Sequence, residues 1–377
     1  MKISLLVSDF SRNCLGRAYT LGKLLEDEFD VEVVGPLLGD RIWPPADTDE
    51  FSFKTVRFSP HLLDFLKNVR GMVELVSGDI IYTSKPLATS LGVGILAKLR
   101  RKRPLILDID DWELGWYLPY RMRKMASLCM RSGLETNGFL STYLMERLVF
   151  LANGKTTASR FLQKRFGGMY IPHARDTEFL DPERYGRGKL KGEYRCRDEK
   201  IIMFLGSPKP HKGLRTLFES LRLLKRPDVK LVIIGSTNDH PLREEVPREI
   251  ARSVVIKGMV PFPQVPEHLS YADLVVLPQN NIPSNYAQVP AKLFDAMAMA
   301  KPIIATRISD MPEILRDCGF LAETGCPESL AEKIDYVLSN PDEAIEMGRK
   351  ARERCIQEYS LSVVSQRLIR YVREVVT

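Results

Sequence analysis

The sequence predicts an α/β protein built of two parallel-sheet domains that face a cleft, and three observations predict it. Short apolar runs recur with helical segments between them, the pattern of a parallel sheet covered on both faces. One long polar stretch broken by Gly and Pro interrupts that rhythm, and a second series of the same kind begins directly after it. At 377 residues, the chain also exceeds the comfortable size of a single hydrophobic core.

In the first half the strand-like runs are residues 3–7, 31–34, 53–58, 79–82 and 105–109, with weaker ones at 156–158 and 169–171. Most are continuously apolar, not alternating, which marks strands buried on both sides. Residues 176–200 are polar and carry Pro182, Gly186, Gly188 and Gly192, so they read as an interdomain linker. The second series comprises 201–205, 230–234, 254–256, 274–277 and 303–305. This places a first domain at 1–175 and a second at 201–359. Two helical segments close the chain, 341–358 and 360–376. Ser360 is a candidate N-cap for the last, which is expected to pack back on the first domain. Open α/β sheets bind ligands at the carboxyl ends of their strands, so both domains should offer loops to the cleft.

Composition narrows the class. Hydrophobic content of 44% and charged content of 27% are those of a globular protein, not a disordered one. No stretch approaches the roughly 20 apolar residues of a membrane span. The opening run after Lys2 is too short for a signal peptide, so a cytoplasmic location is expected. Six cysteines and five histidines are scattered without metal-ligand spacing, which points to reduced thiols and no metal site. The net charge of +7 concentrates at residues 98–103 (KLRRKR) and 121–124 (RMRK). Nucleic acid, an anionic membrane surface and a phosphorylated substrate would each favour such patches, and so would a plain solvated helix end.

Two segments of the second domain carry chemistry. In residues 204–213 (FLGSPKPHKG), Gly206 permits a sharp turn and Gly213 opens a helix. Lys209 and Lys212 then stand in a strand-to-helix loop, where ammonium groups can neutralise a diphosphate without a metal ion. A Walker A spacing is absent. In residues 283–302 (PSNYAQVPAKLFDAMAMAKP), Pro290 suits the first helical position, and the amides before it form an anion site. Lys292 and Asp295 share one helical face, suited to a phosphate and a ribose diol, or to an ordinary ion pair.

Taken together, these segments resemble glycosyltransferase family 4, retaining enzymes with two Rossmann-like domains in the GT-B architecture. Residues 171–178 (IPHARDTE) resemble the family's I-P-N-G-V-D-T segment, and residues 206–213 its G-R-x-x-x-x-K-G loop, with Lys212 at the lysine. Residues 258–261 (GMVP) and 271–278 (YADLVVLP) resemble the stretch that holds the base. Residues 294–298 (FDAMA) match the E-A-M-A segment, with Asp295 at its ribose-binding carboxylate. The resemblance implies a metal-independent, retaining transfer from a UDP- or GDP-sugar, with no other cofactor, to a glycan or lipid-linked acceptor. It places Lys212 and Lys292 on the diphosphate and Val260 and Pro261 near the base. Ala287, Gln288 and Val289 then fall beside the donor sugar. Two departures stand out. The family's loop arginine is Ser207 here, with Lys209 as a substitute, and its first glutamate falls on Ala287. A branch of the family with a V-P-x-K-L-F-E segment also lacks that glutamate, and residues 289–295 (VPAKLFD) resemble it.

In the first domain, residues 13–17 (NCLGR) stand where the family has a glycine-rich loop, so Gly16 and Arg17 would approach the donor phosphate or the acceptor. Asp110, within residues 108–111 (DIDD), falls where many members carry a histidine facing the sugar. An aspartate there can hold or deprotonate an acceptor hydroxyl, or serve as a cap or ion-pair partner. Residues 92–97 (GVGILA) mimic a dinucleotide pattern inside a helical run, where close helix packing is the better explanation. Trp112, Trp116, Tyr117 and Tyr120, beside residues 121–130, resemble an interfacial helix able to rest on a membrane surface. Competing readings are a nucleotide-sugar epimerase or phosphorylase, a catalytically silent partner protein, and a nucleic-acid binder. Nucleic acid is not the expected partner.

Overall fold

Alternation of buried strands with amphipathic helices yields two parallel sheets. The computed structural model describes residues 1–44, 51–118, 135–186, 194, 198–236 and 242–377. The expected interfacial segment at 120–130 lies outside them, as do Gly188 and Gly192. The chain divides into two compact units. Unit 1 comprises Met1–His173, Tyr286–Gln288 and Leu361–Thr377, and unit 2 comprises Ala174–Asn285 and Val289–Ser360.

Unit 1 carries seven strands: β1 (Lys2–Leu6), β2 (Asp30–Leu37), β3 (Ser52–Arg57), β4 (Ile80–Ser84), β5 (Leu105–Ile109), β6 (Gly154–Thr157) and β7 (Met169–Tyr170). All pair in parallel, in the order β3-β2-β1-β4-β5-β6-β7. The crossover from β3 to β4 therefore reverses direction past β1, which brings the loops after β1 and β4 to the switch point of the sheet. Continuous apolarity matches the burial: every residue of β4 and β5 is buried. At Gly94 an added Cβ would stand 2.5 Å from a Thr83 methyl, so this glycine serves the packing of helix Val93–Arg101 on β4. The terminal helix Leu361–Val376 packs on helix Cys14–Leu25, where Ser365 donates to the Leu24 carbonyl at 2.6 Å. Lys155 N–H donates to the Tyr371 hydroxyl at 2.9 Å.

Unit 2 carries β8 (Lys200–Leu205), β9 (Val229–Ser236), β10 (Val254–Gly258), β11 (Leu274–Leu277), β12 (Ile303–Thr306) and β13 (Phe320–Ala322), all parallel in the order β10-β9-β8-β11-β12-β13. The three-residue edge strand β13 is absent from the sequence reading, being too short to register as an apolar run. The expected linker is corrected too. Leu180 and Tyr194 are wholly buried in the core of unit 2, and Arg352 donates to the carbonyls of Leu180 at 2.8 Å and Thr177 at 3.3 Å. Charge and glycine content suggested a free connection, but a few apolar side chains anchor it. Pro290 is the N-cap of helix Ala291–Ala298, not its first residue.

Candidate functional site

The carboxyl end of β8 opens the most constrained loop of unit 2. Gly206 has φ +138°, and Gly235 near the end of β9 lies so close that its Cβ would meet the Gly206 carbonyl at 2.7 Å. Only glycine supports that approach. The loop then makes a short 3-10 turn, Pro210–Lys212, and ends at Gly213 with φ +75°. A Cβ on Gly213 would stand 1.7 Å from the Pro278 carbonyl oxygen, so the loops after β8 and β11 are in direct backbone contact.

Side-chain amides stitch the two loops together. Asn280 donates from its backbone to the His211 carbonyl at 3.0 Å and from Nδ2 to the Pro210 carbonyl at 2.9 Å. Asn285 Nδ2 donates to the carbonyls of His211 and Asn280, both at 2.8 Å. Residues 206–213 and 278–285 thus form one rigid platform at the carboxyl ends of adjacent strands. Ser207 and Lys209 are exposed on it and Lys212 is half-buried. Asn285 Oδ1 and Ser284 Oγ are buried without a hydrogen-bond partner among the described residues. Buried polar atoms are ordinarily paired, so such atoms mark a place built for more than packing. The stitching asparagines were not singled out from sequence. Two asparagines three and eight residues past the end of a strand carry no motif by themselves.

Helix Ala291–Ala298 follows the second of these loops. Lys292 Nζ lies 3.4 Å from Asp295 Oδ2, as their spacing anticipated. Asp295, expected at a ribose, is engaged from within unit 2. Its carboxylate is fully buried and accepts from Arg175 Nε, so it is not presented at a surface. Arg175 also donates to the carbonyls of Ala291 at 3.0 Å and Ala174 at 2.7 Å. Burial alone would raise the Asp295 pKa, but Arg175 and then Lys292 outweigh it and hold the carboxyl below its ordinary value.

Val260 is half-buried against the unit 2 core and Pro261 is exposed, both in the loop after β10. Ala287, Gln288 and Val289, expected at the donor, are held within the fold. Ala287 is buried in an apolar cluster of unit 1 and Val289 in the core of unit 2, so neither offers a side chain to a ligand. Gln288 spends its amide on Asp111 Oδ1 at 2.8 Å.

Unit 1 corrects Arg17 as well. Its guanidinium is buried, pairing with both oxygens of Asp108 at 3.0 and 2.8 Å and donating to the carbonyls of Pro172 at 3.0 Å and Ile171 at 2.7 Å. Those bonds occupy the donors expected to reach a phosphate. Helix Cys14–Leu25 turns Arg17 toward β5, because its neighbours Leu15, Ala18 and Leu21 face the sheet. At Gly16 an added Cβ would lie 3.2 Å from the Trp43 ring, so this glycine makes room for an indole.

Asp110 sits in a denser arrangement. Lys85, just past β4, reaches Asp111 at 2.6 Å, Glu113 at 2.8 Å and Asp110 at 3.2 Å. Burial alone lowers the Lys85 pKa, but these carboxylates hold it well above its ordinary value. Burial, opposed by Lys85 and aided by Asp111 and Asp108, pushes the Asp110 carboxyl up to about 7. A carboxyl that titrates near neutrality can take a proton from a substrate. The sequence reading missed Lys85. The available signal was a lysine between a strand and Pro86, held at φ +73° in the left-handed region that side chains rarely adopt.

Among the described residues, no group of three or more His, Cys, Asp or Glu side chains could hold a metal ion. Among them also, no helix is long and apolar enough to cross a membrane.

Residues 199–340 match the family model described as Glycosyl transferases group 1. Over 191 residues the chain is 29% identical to the alpha-maltose-1-phosphate synthase of Mycolicibacterium smegmatis. That match covers 46% of this chain and spans about half (48%) of the synthase. A GDP-mannose-dependent alpha-(1-6)-phosphatidylinositol monomannoside mannosyltransferase of the same organism is 24% identical, over 73% of this chain and 72% of its own. Among solved structures, Anabaena HepE in complex with UDP-glucose superposes with a TM-score of 0.76 at 18% identity, covering 99% of this chain and 100% of that one. At that identity the likeness speaks for the fold alone, the GT-B architecture.

Proposed function

We propose that the chain is a group 1 glycosyltransferase, to whose family model residues 199–340 are similar, and that it moves a sugar from a nucleoside-diphosphate donor bound on unit 2 to an acceptor hydroxyl held on unit 1. The observation that carries this reading is the stitched platform of residues 206–213 and 278–285, with Lys209, Lys212 and Lys292 around it. Lysines in the loop after β8 and at the start of helix Ala291–Ala298 supply positive charge that offsets the negative charge a diphosphate develops as the sugar bond breaks. Because the platform is rigid, that charge is in place before the reaction starts.

Lys212 and Lys292 bind the diphosphate, Lys209 stands in for the missing loop arginine, and Val260 and Pro261 lie against the base. Asp295 acts from below by holding Lys292. On unit 1 the acceptor hydroxyl lies beside Asp110. Its oxygen bonds to the anomeric carbon on the same face from which the diphosphate oxygen departs with the bonding electron pair, and its proton passes to ionised Asp110. The lysines provide what a metal ion would otherwise supply, so the transfer runs without one, with retention at the anomeric carbon. One relative is, by its name, GDP-mannose-dependent and acts on phosphatidylinositol monomannoside, a lipid-linked acceptor. A glycan or lipid-linked hydroxyl is therefore the acceptor class assigned here, with a UDP- or GDP-sugar as donor.

One observation favours a second reading. Ala287 puts no carboxylate where the resemblance expects a glutamate, which suits a protein that binds nucleotide sugars without turnover. Release of nucleoside diphosphate from UDP-glucose and GDP-mannose, followed in the presence of EDTA, separates the two. Steady release supports transfer and hydrolysis; tight binding with no release over many hours supports the silent reading.

A further inference from the structure

The donor side of unit 2 contains a buried cation that the diphosphate reading does not use. Arg175 comes from the segment between β7 and β8, and its side chain is 9% exposed. It reaches helix Ala291–Ala298 from below, pairing through Nε with Asp295 Oδ1 and bonding the Ala291 carbonyl through Nη2 at 3.0 Å. The other carboxylate oxygen faces Lys292 at 3.4 Å, and the Lys292 side chain is one-third exposed. Cys355, beside this group, is pushed up to about 12 by burial, so it adds no charge.

Counting charge decides what the arrangement does. Lys292 and Asp295 alone would sum to zero, and a neutral pair attracts a diphosphate weakly. Arg175 takes the carboxylate from the buried side, and the three groups together keep a net charge of +1 at the only member that reaches solvent. The arginine also bonds the carbonyl at the first position of the helix, which fixes the helix start on which Lys292 rides.

We propose that Arg175 is a positioning residue for the donor: it neutralises Asp295 from beneath so that Lys292 presents an uncompensated charge to the nucleoside diphosphate. This rests on the reading that Lys292 meets the diphosphate. A unit charge several ångströms away, at the effective dielectric of a protein surface, is worth on the order of a tenfold change in affinity.

The test is calorimetric titration of the full chain with UDP and GDP, and with uridine and guanosine. Arg175→Met should weaken the diphosphate that binds by roughly tenfold and leave its nucleoside within about twofold. Arg175→Met with Asp295→Asn removes both charges, restores the net +1 and should recover most of the lost affinity. Asp295→Asn alone leaves two positive charges and should tighten diphosphate binding, whereas a carboxylate that held the ribose would weaken it on substitution. If Arg175→Met does not fold, Asp295→Asn still decides the matter by the direction of its change. Unchanged diphosphate affinity in Arg175→Met, or weaker binding by Asp295→Asn, overturns the inference while leaving the proposed function standing. Absence of diphosphate binding by the wild-type chain overturns both.

Discussion

Arg17 is the sharpest test of how structure revises a motif. The sequence places it in a loop that meets a donor phosphate; the structure spends it on Asp108 in the interior of unit 1. Arg17→Met keeps most of the volume and removes the charge. It leaves Asp108 buried with only the Thr156 hydroxyl, which donates to Oδ1 at 2.7 Å, and strands the carbonyls of Ile171 and Pro172. Removing one partner of a buried ion pair costs about 3–5 kcal/mol, because the other charge stays desolvated. For a unit of this size, each kcal/mol lowers the melting point by about 2–4 °C, so a drop of roughly 6–20 °C is expected. Scanning calorimetry with both units in one chain reads it directly, as the transition that moves while the other stays. The double variant Arg17→Met, Asp108→Leu should regain much of the loss, since an apolar pair replaces a stranded charge. In the cold, where Arg17→Met is folded, nucleoside diphosphate should bind as it does to wild type. A variant that melts within about 2 °C of wild type but no longer binds the diphosphate would refute this reasoning.

Two further predictions follow from the sites. Asp110 has a folded pKa of about 7, above its ordinary value near 4, so it is neutral at low pH and is charged at a cost as pH rises between about 4 and 7. Its contribution to stability is thus fully present below about pH 4 and lost as pH rises through about 7, and Asp110→Asn should melt higher than wild type at pH 8 and equal to it at pH 4. Transfer should rise through about pH 7 as the carboxylate forms, and Asp110→Asn should lose that limb; a rate limb unchanged in the variant assigns it to another group. Gly213→Ala forces a Cβ against the Pro278 carbonyl at a positive φ, so the two loops must part. Diphosphate affinity should fall at least about tenfold with the unit 1 transition unmoved, and retained affinity would show that the platform is not the donor site.

The sheets were legible because their strands are continuously apolar. The runs at residues 105–109 and 274–277 coincide with β5 and β11, whose side chains are buried throughout. Residues 176–200 read as a linker because charge and glycine dominate the segment, while Leu180 and Tyr194 within it are buried in the core of unit 2. At the site, the loop glycines and the pairing of Lys292 with Asp295 were readable from local spacing. Arg175 and Lys85 were not. Each meets carboxylates distant in the chain, Arg175 across 120 positions and Lys85 across 26 and 28, and only the fold brings such groups together. Arg17 was misplaced for the same reason, its partner lying 91 positions away.

The measurement that tests the central claim most directly is a thermal-shift panel of UDP, GDP and their sugars against wild type, Lys212→Ala and Lys292→Ala. A ligand at 100 times its Kd stabilises a fold by about 2.7 kcal/mol, a shift easily resolved. The account predicts that nucleotides of one base raise the unit 2 transition in wild type and that each lysine variant loses most of that rise. A rise that survives in both variants, or no rise with any nucleotide, would contradict it.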